Sequence, residues 1–213
     1  LAGSGIAGVR VVGRGVDTTL YDPARRSHAL RSSWGASGQA PVCLYVGRLA
    51  PEKNLALVRK TFKAIQAHHP AACMVWVGDG PSAKQLASED REHHFAGLRL
   101  GEDLAAHYAS ADLFLFPSLT ETYGNVVPEA MASGLPVLAF RSAAAAELIR
   151  DRVDGLAVLP GDENAYVAGA LELALSMDGL AILGRSAREA MLPRNWGRVV
   201  QSFEAVASEV LAR

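Results

Sequence analysis

The chain has only two cysteines in 213 residues, Cys43 and Cys73, each inside a short apolar run. That count excludes a disulfide-stapled scaffold and reads as two buried thiols, which suits a reducing cytoplasm. Charge of one sign is also lacking. Lys and Arg total 21 against 22 Asp and Glu, a net charge of −1. No attraction to polyanions acts on the whole chain, so nucleic acid is not an expected partner. No apolar run reaches the roughly 18 residues that a membrane-spanning helix needs. Nothing at the N-terminus joins a basic segment to an apolar signal core. The first residue is Leu1 rather than Met, and a segment of a longer protein is the expectation.

Half of the residues are hydrophobic and a fifth are charged, an ordinary folded composition that excludes intrinsic disorder. Short apolar runs alternate with helical patterns. The expected strands are Val42–Val46, Met74–Val77, Leu98–Leu100, Leu113–Phe116, Pro136–Phe140 and Leu156–Leu159. The expected helices between them are Leu55–Ala67, Ser82–Arg91, Asp103–Ala109, Pro128–Ser133 and Ala143–Ile149. Apolar strands separated by helices predict a doubly wound parallel sheet, an α/β fold of the Rossmann-like kind. Ligands of such sheets bind beyond the carboxyl ends of the strands. After Pro160 the periodicity is helical alone, over Glu163–Leu175, Gly179–Met191 and Trp196–Leu211, with Pro193 separating the last two. Val9–Val12 reads as an isolated strand, and the polar stretch Asp22–Ala40 reads as a linker or surface loop.

The run Gly3-Ser-Gly5-Ile-Ala-Gly8 matches a dinucleotide fingerprint, but no strand precedes it and a β-type run follows, so it reads as a loop. Three other segments carry chemistry. Gly47-Arg48-Leu-Ala-Pro-Glu-Lys53-Asn54 follows a buried strand and places Arg48 and Lys53 at its carboxyl edge, where they would meet an anion. Asn54 is a candidate cap for the next helix. The same segment also reads as a solvated turn with two surface cations. Gly78-Asp79-Gly80-Pro81 has turn chemistry first and a backbone open to a ligand second.

The third segment runs from Phe116 to Pro136. A polar loop carrying Glu121 leads into a helix start near Asn125, with Pro128 in the first turn. Free N–H groups from Gly124, Asn125, Val126 and Val127 are expected to point outward and hold a phosphate. Glu129 has two uses on offer: complementing the positive helix end, or accepting hydrogen bonds from vicinal hydroxyls. Carboxylates on both sides of a phosphate-sized anion site suit a nucleotide sugar.

Glu121 to Glu129 resembles the Glu-x7-Glu motif of the family 4 (group 1) retaining glycosyltransferases. Its surroundings, Pro117-Ser-Leu-Thr-Glu121-Thr-Tyr-Gly-Asn125 and Glu129-Ala-Met-Ala-Ser-Gly134-Leu-Pro-Val137, are similar too. Gly47 to Asn54, Gly78 to Pro81 and Tyr108-Ala-Ser-Ala-Asp112 match in the same order. The resemblance implies the C-terminal half of a GT-B fold with a helical C-terminal extension. It assigns residues 1–40 to the junction with an N-terminal half, 41–192 to the donor-binding domain, and 193–213 to a helix crossing back to that half.

By position, the resemblance gives Arg48 and Lys53 the diphosphate, Glu129 the ribose hydroxyls and Glu121 the transferred sugar. Gly47 and the amides of Gly124 to Val127 complete the donor cradle. It implies transfer with retention, by front-face attack in which the leaving phosphate helps to remove the acceptor proton. No metal or other cofactor is expected: the chain has no Asp-x-Asp, and two cations with a helix end supply electrostatic stabilisation. The segments from Gly124 to Ala130 and from Ala139 to Ala145 most resemble the subset that makes lipid-linked mannosides or related glycolipids, which implies GDP-mannose as donor, with UDP-sugars next. Arg141 departs from the acidic residue expected there. The partners implied are the donor and the N-terminal acceptor domain, with peripheral membrane contact through that half and a cytoplasmic location. His68, His69, His93 and His94 read as surface pairs and His107 as a helix residue. An epimerase or phosphorylase of the same fold, and a non-catalytic nucleotide-sugar-binding module, are the alternatives. The preference for Arg over Lys and the many alanines suggest a GC-rich bacterial gene.

Overall fold

The computed structural model describes residues 10–36 and 40–211. Strands β1 (Val42–Val46), β2 (Cys73–Val77), β3 (His94–Gly97), β4 (Leu113–Phe116), β5 (Val137–Phe140) and β6 (Gly155–Val158) form one parallel sheet. The spatial order is β3-β2-β1-β4-β5-β6. Chain order reverses between β1 and β4, so the crevice above their carboxyl ends is where a doubly wound sheet binds ligands. Strands β1, β4, β5 and β6 are buried at every residue. That is why they read as continuous apolar runs rather than alternating ones.

The helices are α1 (His28–Ser33), α2 (Leu55–His68), α3 (Ala83–Glu89), α4 (Gly101–Ser110), α5 (Val126–Ala132), α6 (Ala143–Leu148), α7 (Glu163–Ala174), α8 (Met177–Met191) and α9 (Trp196–Leu211). Among the described residues, no single helix is long and apolar enough to cross a membrane. The Rossmann-like reading and the three C-terminal helices agree with the sequence expectation.

Several expectations need correction. Asp22–Ala40 is not a surface loop in its described residues. It forms a 3-10 helix at Pro23–Arg25 and then α1, which starts where Ser27 Oγ accepts the Leu30 N–H at 3.1 Å. Arg31 and Trp34 are buried there. Arg31 Nη1 donates to Asp112 Oδ2 at 2.8 Å and Arg26 Nη2 to Asp112 Oδ1 at 2.7 Å. Polar composition misled because the buried Arg31 and the part-exposed Arg26 both satisfy the buried Asp112 carboxylate.

The third strand is His94–Gly97 rather than Leu98–Leu100. Leu98 and Leu100 are 68% and 70% exposed, beyond the end of an edge strand. Arg10–Val12 forms no strand; Val9 and the Gly3–Gly8 run lie outside the described residues. The N-terminal segment is instead joined to the C-terminal one by the Val16 N–H, which donates to the Arg194 carbonyl at 3.0 Å.

Both cysteines are free; Cys43 is buried and Cys73 half-buried on adjacent strands. Nor is His93 a surface residue, its side chain being 6% exposed, whereas His107 lies in helix α4 as expected. His93 Nδ1 accepts the Trp76 indole N–H at 3.2 Å, and burial lowers its pKa. His107 is buried against Trp34, with Nδ1 donating to the Asp103 carbonyl at 2.7 Å.

Candidate functional site

Two loops meet above the β1/β4 switch point. Gly47 and Arg48 follow β1, and residues 117–125 follow β4. Between them lies a cleft of about 470 Å³ whose lining includes Gly47, Arg48, Lys53, Glu121, Gly124 and Asn125. Val126 and Arg14 line it as well. A slightly larger cavity, about 500 Å³, lies at the opposite end of the sheet, beside Ala111 and Asp112 before β4 and Pro136 before β5. The smaller cleft is the candidate site, because cations and unbonded amides converge there.

The loop after β1 is held by backbone packing. Gly78 has φ +130°, and a Cβ on it would lie 2.0 Å from the Gly47 carbonyl oxygen. The Leu49 N–H donates to the Asp79 carbonyl at 2.9 Å, and the Ser82 N–H donates to the Leu49 carbonyl at 2.9 Å. Gly78 to Pro81 thus braces the cation-bearing loop. Tyr45, whose buried hydroxyl donates to the Arg48 carbonyl at 3.1 Å, holds it from below.

Lys53 Nζ lies 2.5 Å from Glu121 Oε1 and donates to the Thr120 carbonyl at 3.4 Å. Arg48 is more open, 3.6 Å from Glu52. Asn54 makes no side-chain cap. It adopts φ +55°, ψ +44°, turning the chain from the 3-10 helix Pro51–Lys53 into α2. Asparagine tolerates that left-handed region better than most residues.

Helix α5 begins at Val126. Among the described residues, the N–H groups of Gly124, Asn125 and Val126 have no intramolecular acceptor. Val127 differs from expectation: its N–H donates to the Gly124 carbonyl at 3.0 Å, and its side chain is buried. A helix start ties back one amide of its first turn through a tight turn of this kind, leaving three of the four expected amides open.

Glu129 sits in a neighbouring recess of about 150 Å³ with Arg14, Tyr21 and Trp196. Tyr108 donates its hydroxyl hydrogen to Glu129 Oε2 at 3.0 Å. Burial raises the Glu129 pKa, opposed by hydrogen bonds from Tyr108 and Tyr21. Burial also pushes both tyrosine hydroxyls up, the nearby Glu129 charge adding to it. These phenols remain hydrogen-bond donors that hold the carboxylate in place.

Sequence reasoning missed Arg14, Tyr21 and the role of Tyr108. Tyr108 stood inside a matched motif but carried no chemistry on residue type alone. Arg141 does not face the cleft: its guanidinium pairs with Asp151 and donates to the Ala157 carbonyl at 3.1 Å. Ala143, at the start of α6, has φ +45°, a left-handed conformation costly for alanine. It follows Ser142, which shares a small recess with Glu121 and Tyr123.

A doubly wound α/β domain with paired cations and open amides at its switch point defines the class. The family model of the glycosyl transferases group 1 matches residues 40–176, and the chain belongs to that family. It is 35% identical over 199 residues to a GDP-mannose-dependent alpha-mannosyltransferase of Corynebacterium glutamicum, covering 93% of this chain and 47% of that protein. The chain therefore spans about half the length of the curated relatives it matches. Among solved structures, sucrose-phosphate synthase of Thermosynechococcus elongatus superposes with a TM-score of 0.78 at 25% identity, covering 95% of this chain and 53% of that one. The Anabaena protein HepE in complex with UDP-glucose superposes at 0.76 and 25% identity, covering 96% and 57%. These neighbours bear out the GT-B half.

Proposed function

We propose that the chain is the donor-binding half of a retaining glycosyltransferase that moves a hexose, mannose, from GDP-mannose to an acceptor. The observation that carries this reading is the convergence of Arg48, Lys53, Glu121 and three open amides on one cleft, with Glu129 in the adjoining recess. The GDP-mannose-dependent alpha-mannosyltransferase of Corynebacterium glutamicum, 35% identical, supports the GDP-mannose assignment. The UDP-glucose bound to HepE supports a UDP-sugar as the second reading of the donor.

In the reaction, the bond between the sugar's anomeric carbon and the diphosphate oxygen breaks. The acceptor oxygen bonds to the same carbon on the same face, and its proton passes to the departing phosphate. Arg48 and Lys53 neutralise the charge growing on that phosphate, and the amides of Gly124 to Val126 add fixed dipoles. Glu121 orients the sugar by its hydroxyls, and Glu129 holds the ribose. No step here needs a metal to balance it. The acceptor is held by an N-terminal half, and the face of α9 bearing Trp196, Val200 and Phe203, each more than half exposed, docks there. The reading places the protein in the cytoplasm, peripheral at the membrane.

Titration calorimetry with GDP, UDP and ADP tests the site. GDP is expected to bind most tightly, and Lys53→Ala and Glu129→Ala to weaken it. Equal weakness toward all three nucleotides would sink the donor assignment. The anomeric carbon–hydrogen coupling of the product then reads retention or inversion directly.

A further inference from the structure

Arg14 is the cleft cation that the resemblance does not assign. Its backbone is fixed although its side chain is exposed. The neighbouring Gly15 packs so closely that a Cβ there would meet the Trp196 ring at 2.8 Å, and buried Val16 is bonded to Arg194. The Arg14 guanidinium lies 5.2 Å from the Tyr123 ring centroid, and Nη1 donates to Asn125 Oδ1 at 3.3 Å. Tyr123 and Asn125 both belong to the loop that carries the open amides.

The charges of the resting cleft are unevenly matched. Lys53 has Glu121 at 2.5 Å, and Arg48 has Glu52 at 3.6 Å. Among the described residues, Arg14 has a neutral amide and an aromatic face but no carboxylate within 4.0 Å. It is therefore the cleft cation whose charge is not already offset. Arg14 also lines both the diphosphate cleft and the Glu129 recess. A nucleoside diphosphate lying with its ribose at Glu129 and its outer phosphate at Arg48 and Lys53 must carry its inner phosphate across that border.

We infer that Arg14 is a third cation of the donor site and binds the phosphate joined to the ribose. This rests on the donor-site reading above. A guanidinium suits the task, because its planar fork grips phosphate oxygens while its face stays on the tyrosine ring. The neutral Asn125 partner is exchanged for an anion at little desolvation cost, since the side chain is already in water.

The test compares diphosphates with monophosphates, using GDP with GMP and UDP with UMP in titration calorimetry. Arg14→Ala is expected to weaken the diphosphate and the monophosphate alike, each about tenfold, or about 1.4 kcal/mol. Arg14→Lys should recover part of that loss. Lys53→Ala should weaken the diphosphate but leave the monophosphate within twofold. Thermal unfolding of the Arg14 variants should match the wild type, which separates binding from folding. Unchanged diphosphate binding in Arg14→Ala overturns the inference and leaves the donor site standing. Loss confined to the diphosphate overturns the placement at the inner phosphate. Wild-type protein that binds neither GDP nor UDP overturns the donor-site reading, and this inference with it.

Discussion

Lys53 Nζ lies 2.5 Å from Glu121 Oε1, with the two side chains 18% and 14% exposed. The cation that the resemblance gives to the diphosphate is thus paired, in the resting chain, with the carboxylate that another motif of the resemblance gives to the sugar. Such a pair keeps two half-desolvated charges from standing alone. On the proposed donor site, a donor would have to replace this contact, its phosphate taking Lys53 while its sugar hydroxyls take Glu121.

Glu121→Gln separates those two halves of the exchange. With the carboxylate gone, Lys53 is free for the phosphate, and a nucleoside diphosphate without sugar should bind about threefold more tightly. Transfer should fall steeply, because the sugar loses its charged anchor. Calorimetry with GDP reads the first effect, and product formation by protein that includes the acceptor-binding half reads the second. Weaker GDP binding in this variant would mean that the pair organises the cleft rather than competing with the ligand.

Glu129 makes a pH prediction. Burial raises its pKa above the ordinary glutamate value of 4.5, against the hydrogen bonds of Tyr108 and Tyr21. The folded state therefore holds that proton to a higher pH than the unfolded chain does. Its stabilising share is complete below the unfolded pKa and is lost as pH rises through the folded one. Glu129→Gln removes the titration, so its stability relative to wild type should grow as pH rises through that window. Tyr108→Phe deletes a hydrogen bond to the charged form and should move the window upward. Urea unfolding at a series of pH values measures both. A stability difference that does not vary with pH would refute the linkage.

The parallel sheet was legible because buried strands leave unbroken apolar runs such as Val42–Val46 and Leu113–Phe116, and helices repeat at their own period. The cations and carboxylates of the cleft were legible because a motif carries them at fixed spacing beside strand ends. What composition concealed was long-range pairing. Arg26 and Arg31 look like loop cations until Asp112, eighty or more residues away, is seen between them. Tyr108 looks like core until its hydroxyl is seen on Glu129. Val127 looked like an open amide because spacing alone does not show which first-turn N–H a tight turn recaptures.

Gly78→Ala tests whether the loop after β2 braces the cation loop. The substitution forces a side chain into φ +130° and drives a Cβ against the Gly47 carbonyl. Backbone strain of this kind costs about 1–3 kcal/mol, and the clash adds to it. Stability should fall by at least that much, and GDP affinity should fall with it because Gly47 and Arg48 must shift. Denaturant midpoints and calorimetry on the same sample check the pairing. Lost stability with unchanged affinity would show that the cation loop stands without this brace.

Asp112 offers the opposite dissociation. It is buried, accepts from Arg31 and Arg26, and takes the Val42 N–H on Oδ2 at 2.9 Å. It thereby pins α1 to the amino ends of β1 and β4, the far edge of the sheet from the cleft. Removing one partner of a buried ion pair costs about 3–5 kcal/mol, because the other charge is left without compensation. Asp112→Ala should lose stability of that order in urea unfolding, while GDP affinity of the remaining folded protein stays within twofold. Adding Arg31→Met removes the stranded guanidinium and should restore at least about 1 kcal/mol of the loss, a non-additivity expected of groups in contact. Strictly additive losses would mean that the two side chains stabilise the fold through separate contacts.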